Sequence, residues 1–271
     1  MRSSIRLLGI VILTAVEVGL HAQNLPAIFA APAAGVSAAK LPDIKGLHLA
    51  MTQEEAVAII KSLYSTNAIR MDSSKQADGT VRITTIKTGQ DCNPVCDTIN
   101  VAINYPPNPA HVVGISRTVK SDPSHRPTVD TVVASLRQKY GQELHSPGTG
   151  PTLLAWEWDE NGQLINPSGP SNWSPADCAG VSVSPPGGVT VADMIPHYTR
   201  DLCSRNVYLR VQLVTLSVSG LQVVDQIYMS LAEQSMATRD AIAAQQAVED
   251  ANAAKQKQQL KNAQQQKAPS L

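Results

Sequence analysis

Three runs between residues 80 and 119 alternate apolar and polar positions with the period of a β-strand: TVRITTIKT (80–88), DTINVAINY (97–105) and HVVGISRTV (111–119). In the middle run Ile99, Val101, Ile103 and Tyr105 take one face, and Thr98, Asn100, Ala102 and Asn104 take the other. Strands of this kind make an antiparallel sheet with one buried and one wet face. Ahead of them GLHLA (46–50) reads as a short strand and MTQEEAVAIIKSLY (51–64) as a helix. Thr52 and Glu55 have the spacing of a reciprocal capping box, and Ala56, Ile59, Ile60 and Leu63 recur at helical intervals. That apolar helix face has to pack, and the buried side of the sheet is the surface available to it.

The pattern then starts again. RPTVDTVVASLRQKYG (126–141) aligns with the first helix at a constant offset of 76 positions, which places Thr128 on Thr52, Leu136 on Ile60 and Tyr140 on Tyr64, with Gly141 as the helix stop. TLLAWEWD (152–159), NVYLRVQLVTLSV (206–218) and LQVVDQIYMSLA (221–232) follow as strands. The order helix, strand, cysteine-bearing insertion, strand, strand is read twice, so the chain is expected to be α+β with two related units, 42–122 and 123–232, each a helix packed on an antiparallel sheet. Pattern alone leaves open whether the units share one sheet or form separate lobes. Residues 233–271 are rich in Ala and Gln and predict a C-terminal helix and tail, with the first turns docked and the last about 20 residues frayed or solvated.

The N-terminus changes the picture by assigning a compartment. Residues 1–22 carry Arg2 and Arg6, an apolar run LLGIVILTAV and small Ala22, the layout of a signal peptide, and Glu17 interrupts the run before it could span a bilayer. Residues 23–41 are an Ala- and Pro-rich linker. The expected product is periplasmic or secreted, with no transmembrane segment in the mature chain. In that compartment the four cysteines, Cys92, Cys96, Cys178 and Cys203, are expected to form disulfides. Three connectivities exist, and the Asn-Pro turn in DCNPVC favours Cys92 with Cys96, leaving Cys178 with Cys203.

Candidate chemistry is sparse. Lys plus Arg and Asp plus Glu are both 22, so nothing favours a nucleic-acid partner. Aromatic residues are 4% of the chain and its one phenylalanine is Phe29, so the core is expected to be aliphatic. The histidines at 48, 111, 125, 145 and 197 make no metal-ligand spacing, and neither a nucleophile elbow nor a phosphate-binding glycine loop is present. No cofactor is expected. Trp156 and Trp158 alternate with Glu157 and read as packing under a helix, while Trp173 lies among polar turn residues; these three are the candidate recognition residues.

Two segments resemble a known family. DIKGLHLAMTQEEA (43–56) and the later P-T-x-D-x-V-x-x-x-L-x-x-K-Y-G (127–141) look like exported bacterial proteins of the BamE/OmlA (SmpA) and β-lactamase-inhibitor-protein fold, possessing Ala50 where that family has glycine before Met51. The resemblance implies a tandem α+β scaffold that binds another envelope or periplasmic protein and carries no catalytic residue. Two other readings stand beside it. One is a hydrolase acting on an envelope polymer through loops around Trp173, His125 and His145; the other is a structural envelope protein that associates through its C-terminal helix.

Overall fold

The computed structural model describes residues 41–75, 81–89, 95–104, 106–144, 152–159, 161–165 and 206–265. The expectations for residues 1–22 and 23–40, for Cys92, Cys178 and Cys203, and for Trp173, His145 and His197 fall outside them. Among the described residues seven strands form one antiparallel sheet: β1 (Ile69–Lys75), β2 (Val81–Thr88), β3 (Cys96–Ile103), β4 (Val112–Lys120), β5 (Leu153–Trp158), β6 (Val207–Val218) and β7 (Leu221–Ala232). Their spatial order is β1-β2-β3-β4-β7-β6-β5. With helices α1 (Gln53–Leu63), α2 (Val129–Tyr140) and α3 (Gln234–Gln265), the class is α+β. One continuous sheet results because β4 pairs with β7 from Gly114↔Ala232 to Lys120↔Gln226.

The alternation that defined β3 is present in the structure as burial of Ile99, Val101 and Ile103, with Asn100 exposed between them. Burial departs from it at Asn104, expected on the wet face but fully buried. The register shift between Ala102 and Ile103 adds its extra residue, Val113, to β4 and leaves the period of β3 intact. Asn104 is still on the outward side, where its side chain accepts a hydrogen bond from the His111 amide at 3.0 Å and His111 in turn lies against Asp240 of α3. Strand β1 had no counterpart in the sequence reading. IRMDSSK offers few strand-favouring residues, and its place at the sheet edge, with a bulge between Asp72 and Ser73, tolerates that composition.

The strand expected at residues 46–50 is absent. Ile44 and Leu47 instead exchange both backbone hydrogen bonds, at 2.8 and 3.1 Å, across a tight turn in which Lys45 and Gly46 have φ of 56° and 81°. The apolar residues that suggested a strand are used differently: Ile44, Leu47, Leu49 and Met51 are all buried in the core. Both helical regions hold this lead-in segment. The Tyr140 hydroxyl at the end of α2 donates to the Asp43 carbonyl at 2.8 Å, and Lys45 lies 5.3 Å from the ring centroid of Tyr64, just beyond α1.

The helices start and stop where their caps require. Thr52 and Glu55 form the full capping box of α1, which buries Ala56 and Ile60 while leaving Leu63 at 40% exposure. Thr128 accepts from the Thr131 amide to open α2, and Gly141, at φ 85°, closes it. Under α2 lie the two tryptophans of β5. Trp156 is fully buried, its Nε1 donates to the Gly141 carbonyl at 2.9 Å, and its ring centroid is 5.7 Å from that of Tyr140. Trp158 meets the same tyrosine edge-on at 6.3 Å. The core is thus aliphatic with an aromatic corner beneath one helix.

Helix α3 docks by its first turns, where Met236, Asp240, Ala241 and Ile242 are buried. From Gln246 to Gln265 it remains helical, and every residue but the half-buried Glu249 is exposed. Of the two outcomes expected, frayed or solvated, the described part up to Gln265 is a solvated helix, with side-chain pairs such as Gln246–Asp250 and Gln258–Asn262 at four-residue spacing. No helix among the described residues is long and apolar enough to cross a membrane.

Ala50 is exposed and adopts φ 63°, the left-handed conformation that costs a side-chain-bearing residue about 1–2 kcal/mol. Glycine relieves that strain but loses about 0.4–1 kcal/mol more unfolded-chain entropy. Ala50→Gly is therefore expected to stabilise the fold by about 0.5–1 kcal/mol, seen as a higher urea midpoint at unchanged slope.

Candidate functional site

Antiparallel register places side chains in rows that cross the sheet on one face. The face carrying Ile99, Val101, Ile115, Leu209, Val211 and Leu231 is buried. On the opposite face one row runs Arg70, Lys87, Asn100, Ser116, Ser230, Arg210. The next row holds Thr98, Thr118, Tyr228 and Gln212, and the one beyond it Cys96, Lys120, Gln226 and Val214. On the other side of the first row lie Gly114, Ala232, Tyr208 and Glu157, all buried. The accessible part of this face is consequently the polar middle of β4, β7 and β6.

That middle is concave. A depression of about 370 Å³ is bounded by Ser116, Thr118, Arg210, Gln212, Tyr228 and Ser230. Tyr228 is 41% exposed, and its hydroxyl donates to Gln226 Oε1 at 2.6 Å. Arg210 is half-buried, and no ion-pair partner for it occurs among the described residues. Twist gives the depression its shape: β6 and β7 are both twelve residues long and are joined by Ser219 and Gly220 at φ 52° and 81°, a two-residue turn that keeps the right-handed twist of the hairpin. Hydroxyls, an amide, one guanidinium and one phenol can hydrogen-bond a partner surface. They supply no nucleophile with an adjacent base.

The buried face contains an ion cluster rather than a site. Asp97 receives two hydrogen bonds from Arg117, at 2.8 and 2.9 Å, and one from Lys45 at 2.7 Å. Burial acts to raise the Asp97 carboxyl, but these donors outweigh it and hold it below its ordinary 3.8. The cluster ties the lead-in segment to β3 and β4.

Where α3 meets the sheet, Asp240 is 4% exposed, accepts a hydrogen bond from Asn108 and lies 2.9 Å from His111 Nε2. His111 Nδ1 is 2.8 Å from the Pro109 carbonyl. Burial works against the charged imidazole, yet the hydrogen bond and charge of Asp240 outweigh it and raise His111 above its ordinary 6.5.

The residues singled out in the sequence do not converge. Trp156 and Trp158 are buried under α2 and present no ring to solvent. His125 is 82% exposed in a turn, where Ser124 Oγ and Asp122 Oδ2 lie 3.0 and 3.5 Å from the same ring nitrogen, Nδ1. A catalytic triad needs the nucleophile and the carboxylate at opposite ring nitrogens. Cys96 is disulfide-bonded; its partner cysteine lies outside the described residues. No group of three His, Cys, Asp or Glu side chains among the described residues could hold a metal ion. What the sequence reading missed, the depression, sits on outward positions of the three strands it did identify; the adjacency of β4 and β7 that assembles it left no local signal.

His111 contributes stability that is complete below its unfolded value near 6.5 and is lost as pH rises through its raised folded value. The difference in urea midpoint between wild type and His111→Gln is therefore expected to be largest below the ordinary imidazole range and to shrink as pH rises through the raised folded value. A difference that stays constant with pH would mean the Asp240 contact does not depend on the imidazolium. Compared with known proteins, the chain matches no family model, no curated sequence and no solved structure.

Proposed function

We propose that this chain is an exported bacterial envelope-associated module that binds another protein through the sheet face that carries the depression over β4, β7 and β6, and carries out no catalysis. The observation that carries the proposal is the concave surface over β4, β7 and β6, into which hydroxyl, amide, guanidinium and phenol groups project. Helices α1 and α2 pack on the other side of the sheet, and the Tyr and Arg side chains that this depression presents are residue types enriched at protein interfaces. Export is supported by the signal-peptide layout of residues 1–22 and by the disulfide at Cys96. The resemblance of residues 43–56 and 127–141 to the BamE/OmlA (SmpA) and β-lactamase-inhibitor-protein fold agrees with a scaffold of this kind.

The further reading that the chain is built from two related α+β units is supported by matching contacts. Thr52 and Thr128 cap α1 and α2. The residue before each cap accepts a strand amide: Met51 from Val112 at 2.9 Å and Pro127 from Val224 at 2.8 Å. Those amides begin β4 and lie near the beginning of β7, the two strands that meet at the centre.

A second reading, association through the C-terminal helix, is favoured by segment 246–265, solvated at every position but Glu249. One experiment separates the two. Tagged protein lacking residues 246–271 is expected to retain a stoichiometric partner from periplasmic extract, and the Tyr228→Ala, Gln212→Ala double variant to lose it. Loss of the partner on truncation, with the double variant still binding, would transfer the role to the helix.

A further inference from the structure

The face with the depression is not electrically neutral, although the chain is. Its rows carry Arg70, Lys87, Lys120 and Arg210 against Asp72 and Glu157. Lys87 and Asp72 pair with each other at 2.5 Å, and buried Glu157 is held by Asn206 and by the Tyr208 hydroxyl at 3.0 Å. Arg70, Lys120 and Arg210 have no ion-pair partner among the described residues. On the helix-covered side, by contrast, Arg117, Lys45 and Lys139 are each matched to a carboxylate. Lys61 on α1 is unmatched among the described residues as well, so the helix side is not free of unpaired cations; the face with the depression carries three of them, Arg70, Lys120 and Arg210.

Register fixes how far it extends. Arg70 on β1 and Arg210 on β6 stand in one cross-strand row, five strand spacings apart, which is about 24 Å at about 4.8 Å per spacing. Lys120 on β4 lies between them along the sheet and two rows further along the strands. A small anion cannot reach more than one of these groups. A macromolecular partner can reach all of them, and between the charges it meets Ser116, Thr118, Tyr228 and Gln212 rather than further cations. A nucleic acid or an anionic bilayer gains from dense basic clusters and would meet Asp72 on the same face. A folded protein with a few separated carboxylates on an otherwise polar surface matches both the spacing and the neutral groups.

We infer that the partner of this face is a protein with an acidic surface, one of whose carboxylate side chains enters the depression at Arg210 while others meet Lys120 and Arg70. The inference rests on the reading of this face as a protein-binding surface and adds the chemistry of what it binds.

The test uses the full exported chain and a defined probe, a fluorescent 20-residue helical peptide with glutamates on one face, alongside a single-stranded oligonucleotide and phosphatidylglycerol vesicles. The peptide is expected to bind, and to weaken about tenfold between about 50 and about 300 mM salt. Arg70→Glu with Arg210→Glu is expected to weaken it by at least about tenfold, and Lys61→Glu on the exposed side of α1 to leave it unchanged. Arg210→Gln serves as the milder variant should the charge reversals impair folding, read by circular dichroism. The inference is overturned if the peptide does not bind, if Lys61→Glu weakens it as much as the arginine variants, or if oligonucleotide or vesicle binds more tightly at equal salt. Capture of a partner from periplasmic extract that is unaffected by either arginine variant would leave a protein-binding function standing and remove the acidic-partner inference. Failure of the wild type to retain any partner would count against the binding function itself.

Discussion

Everything in this molecule depends on the pairing of β4 with β7. The strands are separated by about a hundred residues of sequence, yet their ladder from Gly114↔Ala232 to Lys120↔Gln226 turns two groups of strands into one sheet. Without it each would expose an inner edge of unpaired amides and carbonyls beside Ile115 and Leu231, both fully buried here. The join is remote in sequence and so entropically slow to close, which makes the local elements on either side, the β6–β7 hairpin and the capped helices, the natural first structures to form. The same join creates the depression, since Ser116 and Thr118 come from one side of it and Tyr228, Ser230 and Arg210 from the other.

The cluster around Asp97 does a different job. Partly buried ion pairs give back in attraction much of what their desolvation costs, so their net contribution to stability is small. Their geometry is nonetheless restrictive: a bidentate Arg117 and a lysine from the lead-in segment can satisfy one carboxylate only when β3, β4 and residues 43–47 are in register. Together with the Tyr140 hydroxyl on the Asp43 carbonyl, this fixes a segment that has no regular secondary structure of its own. Ile44, Leu47 and Leu49 are thereby held in the core by polar contacts at their flanks.

Six of the seven strands and both capped helices were legible in the sequence because their signals are local: period-two alternation in 97–103, a capping box at Thr52, a glycine stop at Gly141. The misreadings also have local causes. Five residues of GLHLA satisfy alternation as well as a turn does, and only the left-handed φ at Lys45, Gly46 and Ala50 decides between them. IRMDSSK has a single β-branched residue, Ile69, and an edge strand paired on one side needs few. The candidate site was the least legible part. Arg210 and Ser116 lie far apart in the chain and become neighbours through strand order, which no spacing rule encodes, and the His111–Asp240 contact depends on where a helix lands after the last strand.

The free part of α3 alters how the molecule moves through solution. Twenty helical residues from Gln246 to Gln265 span about 30 Å at about 1.5 Å per residue. The sheet, seven strands at about 4.8 Å spacing, is itself only about 29 Å across. A rod of that length on a body of that width drags asymmetrically, so rotational diffusion is slower about the axes that swing the rod than about the axis along it. Sedimentation and small-angle scattering report such a particle as larger than its 28.8 kDa would make a sphere.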